Sequence, residues 1–191
     1  IQKLNFVIDC SKLSLKYLEE NIIISGDFVP IFDALNVCAD SKEKPITKDP
    51  SRTAYNEYPC VYWFDSDVEL VGAEVYKALE NRDRADVVIP AKNKQPHNSK
   101  CLYVGKVNAN IAGRLIQHLG VHKNQTTTHG LQLVHWEETY KNKLTLNFHV
   151  VPLGIKEDSQ EEIKVSWGKI AMLFEYVLAD KLKPILGHHN G

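Results

Sequence analysis

The chain has 191 residues, a length that suits one domain or one domain with an extension. Forty-three percent of its residues are apolar, so it can bury a core without disulfides or a structural metal. The formal net charge is −1, and overall charge therefore gives no indication of a nucleic-acid partner. No segment resembles a signal peptide and no apolar run is long enough to span a bilayer, so we expect no membrane partner.

The four cysteines, Cys10, Cys38, Cys60 and Cys101, lie far apart along the chain and form no CxxC pair. Isolated cysteines of this kind usually behave as small hydrophobic residues. A chain with this much core material has little need of a disulfide framework. We therefore predict buried or partly buried free thiols and a cytoplasmic location.

The first 39 residues contain the patterns of a short α/β unit. They predict a strand at 6–8, a partly helical segment at 13–18, a strand at 22–24 and a helix at 28–37. Residues 40–59 are polar and are interrupted by Pro45, Pro50 and Pro59, as is typical of a loop or linker. We therefore predict an N-terminal extension and linker over 1–58, followed by a second domain over 59–191.

Strong patterns begin at residue 60. Runs of β-branched and aromatic residues indicate strands, and apolar residues spaced by three or four indicate helices. The predicted elements are strands at 60–64, 87–89, 101–104, 130–136 and 144–151, and helices at 67–82, 111–119 and 168–182. This order favours an α+β or mixed α/β chain.

The last predicted helix has the clearest pattern. Its apolar stripe consists of Ile170, Leu173, Phe174, Val177 and Leu178, with Lys181 at the next position of the same spacing. Pro184 follows and is expected to end the helix.

Basic residues are concentrated in one part of this neutral chain. Residues 91–136 contain no Asp or Glu, but they hold six Lys or Arg residues and five of the eight histidines. A local positive region favours phosphate binding, because neutralised phosphates release their counterions. The same clustering also fits an ordinary solvated surface. The sequence alone leaves both interpretations open.

Short motifs in and around this basic stretch resemble those of the GIY-YIG nuclease superfamily. Val61-Tyr62 stands where the family has Ile-Tyr, and Tyr103-Val104-Gly105 stands where it has Tyr-Ile-Gly. Arg114 is followed four residues later by His118, as in the helix that comes next in the family. Glu175, Pro184 and Asn190 are similar to the Glu on the family's last helix and to the Pro and Asn after it. The resemblance covers residues 60–190 and implies an α+β fold with a small mixed or antiparallel central sheet flanked by helices. It also implies a helical insert, about 66–98, between the two motif strands.

The resemblance implies a divalent-metal-dependent endonuclease that hydrolyses DNA phosphodiester bonds, with Tyr62, Tyr103, Arg114, His118 and Glu175 as its catalytic residues. Tyr103 would take or relay the proton of the attacking water, and Tyr62 would position that water or bind the phosphate, although which tyrosine is the base stays open.

A tyrosine is a poor base unless cations lower its pKa, a task for which Lys106 and Arg114 are suited. Arg114 can also bind phosphate through two hydrogen bonds, and His118 can exchange a proton near neutral pH. Glu175 would ligate one hydrated Mg²⁺ or Mn²⁺ ion. Gly105, Lys106 and Asn190 would contact the DNA.

Other sites and functions are also open. His118 and His122 are four residues apart and could bind zinc, and His188-His189 could bind a metal, although HExxH and CxxC motifs are absent from the sequence. The sequence contains none of the usual motifs for an organic cofactor or a serine nucleophile, so we expect no organic cofactor. Two alternative functions are a nucleic-acid-binding module that does not cut and a protein-interaction domain, for which 1–39 and the acidic stretch 156–162 could serve. The oligomeric state is not predicted.

Overall fold

The computed structural model describes residues 3–13, 58–84, 88–120, 129–153 and 161–187, with side chains from residue 167 onward in the last segment. Its strands and helices are β1 (Leu4–Asp9), β2 (Cys60–Leu70), α1 (Gly72–Glu80), β3 (Ser99–Val107), α2 (Ile111–Leu119), α3 (Glu138–Lys141), β4 (Thr145–Pro152) and α4 (Glu161–Leu182). Two 3-10 turns, Cys10–Lys12 and Leu133–His135, complete the regular structure of these residues. None of the helices in these segments is long and apolar enough to cross a membrane.

The four strands form one sheet in the order β1-β4-β2-β3, and every neighbouring pair is antiparallel. Phe6 lies opposite Phe148, Phe148 opposite Phe64, and Phe64 opposite Tyr103. Because directly opposed residues point to the same face, this register places an aromatic row across the whole sheet. The predicted α+β class is confirmed. The strand β1 lies in the segment predicted as an extension, and the domain boundary at residue 59 stays a prediction.

Each face of the sheet is covered by a different set of helices. The face that carries Tyr62, Phe64 and Phe148 packs in one cluster with side chains of α1 and α2, such as Val75 and Leu115. The opposite face, with Val61, Trp63 and Val104, is covered by α4 through Ala171, Leu178, Ala179 and Leu182. Burial of these apolar surfaces provides the main stabilisation of the layers.

The segment after α4 runs along the free side of β3. The backbone amides of Ile185 and Leu186 donate to the carbonyls of Cys101 and Leu102, at 3.1 and 3.0 Å. The amide of Gly187 then donates to the carbonyl of Ala91 at 2.9 Å. The bond to Ala91 holds this part of the predicted insert near β3. The strands β2 and β3 remain paired along Cys60–Asp65.

Most elements predicted from residue 60 onward are confirmed. The strands predicted at 60–64, 101–104 and 144–151 lie within or overlap β2, β3 and β4, and the helices at 111–119 and 168–182 match α2 and the C-terminal part of α4. The strand predicted at 6–8 lies within β1. Cys10, Cys60 and Cys101 are buried free thiols, as predicted, and burial raises the pKa of the Cys60 and Cys101 thiols to about 12.

The helix predicted at 67–82 begins later than expected. Residues up to Leu70 belong to β2, and α1 starts at Gly72, whose amide donates to the Asn98 side chain at 3.2 Å. The spacing predicts Val68 and Val71 on the apolar face of the helix, but they are 66% and 42% exposed. The helical spacing of Val68, Val71, Val75 and Leu79 is therefore partly coincidental. Only Val75 and Leu79 pack into the core.

The strand predicted at 130–136 is wrong. Gln132 has a φ of 57°, and a 3-10 turn follows at Leu133–His135. The apolar residues of this segment are buried without forming a strand. Its polar groups form hydrogen bonds within the segment, as when the Trp136 indole donates to the Leu131 carbonyl at 2.6 Å. Residues 88 and 89 are not in a strand either.

The apolar stripe of the last helix does not pack on the sheet as a unit. Leu173, Phe174 and Val177 are 62%, 50% and 64% exposed. The residues of α4 that contact the sheet include two small alanines, which hydrophobicity patterns weigh little.

Predictions at 14–57, including Cys38, and those for His122, residues 156–160, His188, His189 and Asn190 lie outside the described residues.

Gly120 ends α2 with a φ of +90°, and a Cβ there would lie 2.8 Å from Cγ1 of Val134. We expect Gly120→Ala to lower the free energy of unfolding by about 1–2 kcal/mol or more, because a left-handed backbone is strained for alanine. Gly168 is the control, since it lies within α4 and a Cβ there would be 3.4 Å from its nearest neighbour, Oδ1 of Asn108, so Gly168→Ala should stabilise by about 0.5–1 kcal/mol. Urea denaturation measures both, and equal effects would contradict the assignment.

Candidate active site

The phenol of Tyr62 lies at the centre of a polar cluster inside the core. Tyr62 is 0% exposed, and its oxygen accepts a hydrogen bond from Nε of Arg114 at 2.9 Å. Nε2 of His118 lies 3.0 Å from the same oxygen. The ring of Tyr103 lies beside that of Tyr62, with centroids 6.2 Å apart. Arg114 and His118 therefore contact the same oxygen atom of Tyr62, a residue more than 50 positions earlier in the sequence.

Gly105 makes this packing possible. A Cβ at position 105 would lie 2.5 Å from the Tyr62 oxygen and 2.7 Å from Cε1 of Tyr103. Both atoms belong to rigid side chains in a packed core, so neither can easily move away. The predicted contact of Gly105 with substrate stays a prediction, but its role between the two tyrosines is structural.

The hydrogen bonds of His118 define its tautomer. The backbone amide of Leu131 donates to Nδ1 of His118 at 3.1 Å, so Nδ1 carries no proton. Burial, together with the charge of Arg114, lowers the pKa of His118 well below its usual value. The neutral ring therefore carries its proton on Nε2 and donates it to Tyr62. As a result, the Tyr62 oxygen accepts two hydrogen bonds.

Arg114 connects both tyrosines to the start of α2. Besides Tyr62, it donates from Nη2 to the Tyr103 hydroxyl at 3.5 Å and to the carbonyl of His129 at 3.2 Å. Its Nη1 donates to the side chain of Gln117 at 2.8 Å. Four of its five N–H groups thus have partners among the described residues. Only one remains available to a ligand without rearrangement.

The expectation that cations would lower a tyrosine's pKa is not met at Tyr62. Burial raises its pKa well above the usual value, and the neighbouring Tyr103 adds to the effect. Arg114 acts in the opposite direction but is outweighed. Lys106 is half-buried on β3 and donates to the Asn108 side chain at 3.1 Å. Tyr62 is therefore a neutral phenol near neutral pH.

Glu175 lies on α4, in a different layer from the tyrosines, Arg114 and His118. It is half-buried on α4, in line with Ala171 and Ala179, which pack on the opposite face of the sheet from Tyr62. Its charge still raises the pKa of Tyr62, as the smallest of the causes. Within the described segments, no group of three His, Cys, Asp or Glu side chains could hold a metal ion. Among the described residues, Glu175 therefore belongs to no such group of three, and its carboxylate would bind a metal whose coordination water completes.

Three supporting residues were missed by the sequence analysis. Gln117 lies three positions after Arg114, and this spacing could have identified it as a partner on the same helix. His129 and Leu131 act through backbone groups, so their side chains give no signal of the role.

The buried, neutral state of His118 generates a pH prediction. Since its pKa is lower in the folded chain, the unfolded chain binds the extra proton as the pH falls below about 6.5. The stabilisation present above that pH is therefore lost on acidification, by up to about 1.4 kcal/mol per pH unit from this residue. His118→Gln should show a shallower loss of stability between pH 7 and 5. Ring ¹⁵N shifts should show the neutral Nε2–H tautomer at pH 6, and an imidazolium at that pH would contradict the assignment.

A scan against protein-family models, a search of curated proteins and a search of solved structures each found no match to this chain. The resemblance to GIY-YIG nucleases therefore rests on the motif residues of this chain.

Proposed function

We propose that this chain is a metal-dependent endonuclease with a GIY-YIG-type core that hydrolyses phosphodiester bonds in DNA. The supporting observation is the meeting of the motif residues: Arg114 donates to the Tyr62 oxygen at 2.9 Å and to the Tyr103 hydroxyl at 3.5 Å. His118 completes the same cluster at 3.0 Å from Tyr62. Packing alone does not require two phenols, a guanidinium and a neutral imidazole to share hydrogen bonds.

The two tyrosines have different parts in this proposal. Tyr62 is 0% exposed and its pKa is raised, so it cannot act directly on a water molecule at the surface. Tyr103 is 9% exposed and lies beside the Arg114 guanidinium. Tyr103 therefore takes or relays the proton of the attacking water. Tyr62 holds Arg114 in the orientation that this step needs.

His118 is a positioning residue in this mechanism. Its two ring nitrogens are occupied by the Leu131 amide and the Tyr62 oxygen, and the residue is 0% exposed. It therefore orients Tyr62 instead of contacting the phosphate. Arg114 supplies positive charge near the scissile phosphate and one remaining N–H donor.

Glu175 is the residue of the predicted catalytic set that could bind a metal. A carboxylate is a hard oxygen ligand, and Mg²⁺ commonly keeps several waters beside one or two carboxylates. A bound Mg²⁺ or Mn²⁺ would supply charge stabilisation for the leaving oxygen. The half-buried position of Glu175 limits competition from bulk solvent, and the helix that carries it packs on the face of the sheet opposite Tyr62.

Cleavage of supercoiled and linear DNA with Mg²⁺ tests this proposal. Tyr103→Phe, Arg114→Lys and Glu175→Ala should each lower the cleavage rate by about 100-fold or more, since each removes a proton acceptor, a positioned charge or the metal ligand. Tyr176→Phe is the matched control, because Tyr176 is adjacent to Glu175 but 55% exposed. Thermal melting should show that the variants stay folded. Full activity of Glu175→Ala would remove Glu175 from the mechanism.

A non-cutting nucleic-acid-binding module is the second candidate. The hydrogen bonds of Arg114 favour it, because four N–H groups of the guanidinium already donate to other groups and few remain for catalysis. In this case DNA would bind without being cleaved by any divalent metal. A third candidate, a protein-interaction domain, would show no DNA binding even at low salt.

Both DNA-binding candidates predict salt-dependent binding. The slope of log K against log salt should be negative, and Lys106→Gln should make it shallower by about one unit, because one phosphate contact is lost. Lys143→Gln is the control, since Lys143 lies outside the basic stretch and is exposed. Fluorescence anisotropy on a short duplex measures the slope. An unchanged slope in Lys106→Gln would place Lys106 outside the DNA contact.

A further inference from the structure

The side of α4 that points away from the sheet is apolar. Leu173, Tyr176 and Val177 are 62%, 55% and 64% exposed, and Met172 and Phe174 on the flanks are 42% and 50% exposed. On a helix with 3.6 residues per turn, Leu173 lies opposite the inward line of Ala171, Glu175 and Leu182. We call Lys169, Leu173, Tyr176, Val177 and Asp180 the outer face of α4. Exposed apolar side chains that are grouped on one face of a helix often mark an interaction surface.

The charges at the two ends of the outer face have opposite signs. Lys169 lies at its N-terminal end and Asp180 at its C-terminal end, and both are exposed. Positions 169, 173, 176 and 180 follow the spacing i, i+4, i+7, i+11, so they form one stripe along the helix. The stripe is symmetric about its midpoint between residues 174 and 175. Its two outer members are a cation and an anion, and its two inner members are large and mostly apolar.

This pattern is complementary to itself when the direction of the helix is reversed. In an antiparallel pair related by a two-fold axis, Lys169 of each copy faces Asp180 of the other, and Leu173 faces Tyr176. A parallel pair would instead bring like charges together. Antiparallel packing also opposes the two helix dipoles favourably. Asp180 already pairs with Lys183, but both side chains are exposed and such a pair is weak, so it does not prevent a second contact.

We propose that the outer face of α4 is the contact between two copies of this chain in an antiparallel, two-fold symmetric dimer. The occupant is a second copy because the surface carries apolar side chains in its middle and opposite charges at its ends in a self-complementary order. The two ion pairs set the direction and register, while the apolar residues supply most of the affinity. The proposal does not depend on the proposed nuclease function.

Multi-angle light scattering across a range of concentrations tests the dimer. The wild-type chain should reach twice the chain mass of 21.7 kDa at micromolar concentration. Leu173→Glu together with Val177→Glu should give a monomer with unchanged circular dichroism, since both side chains are exposed in the single chain. A wild-type chain that stays monomeric at all concentrations overturns the proposal and assigns the face to another occupant, such as another segment of the chain or a different protein.

A charge exchange tests the register. Lys169→Glu should weaken dimerisation at least tenfold, because it places a second carboxylate against Asp180 of the other copy. The double variant Lys169→Glu, Asp180→Lys should recover most of the wild-type affinity. Lys181→Glu is the control with the same change of charge, about a third of a turn away from Lys169 around the helix. A dimer that is unaffected by these variants, or one that the double variant does not restore, overturns the proposed pairing.

Discussion

The central constraint on this structure is the buried phenol oxygen of Tyr62, which accepts hydrogen bonds from Arg114 and His118 at 2.9 and 3.0 Å. In a packed core, each of these donors would otherwise be unsatisfied at a cost of about 1–3 kcal/mol. Their partnership fixes the orientation of α2 on the sheet. It also fixes the position of the guanidinium beside Tyr103, on which the proposed chemistry depends.

The two faces of the sheet contribute different parts of the candidate site. The face under α2 supplies the tyrosines, Arg114 and His118, whereas the helix on the other face supplies Glu175. The strand β3 lies between these layers, and the absence of a side chain at Gly105 lets the Tyr62 ring lie close to it. Across the sheet, the charge of Glu175 is the smallest of the causes that act on the pKa of Tyr62, which burial raises most.

The sequence predicted elements well where pattern and packing agree. The helix predicted at 111–119 matches α2, because its periodic apolar face packs into the core and Gly120 ends it. Prediction failed where burial does not produce regular structure, as at residues 130–136, whose apolar side chains surround a 3-10 turn. The helix at 168–182 is confirmed, but its pattern did not identify the side that packs on the sheet, because the alanines that contact the sheet score low in hydrophobicity while the exposed Leu173 and Val177 score high.

Four of the motif residues, Tyr62, Tyr103, Arg114 and His118, meet in one cluster, whereas Glu175 lies on the helix that packs on the opposite face of the sheet. The spacing of Arg114 and His118 predicted a shared helical face, and both contact Tyr62. The complete burial of Tyr62 and His118 and the bond from the Leu131 amide could not be predicted, because they depend on a loop without regular structure. Because both of its ring nitrogens are bonded inside the core, His118 is a positioning residue in the proposed mechanism and not a group that exchanges protons near neutral pH.

The sharpest test of the proposed mechanism is a crystal structure of the chain with duplex DNA and Ca²⁺, used in place of Mg²⁺ so that the substrate stays uncut. A backbone phosphate should lie within about 3.2 Å of a water that contacts the Tyr103 hydroxyl, with Arg114 donating to the same phosphate and the ion on Glu175. DNA bound on another surface, with Tyr103 and Arg114 away from any phosphate, would contradict it.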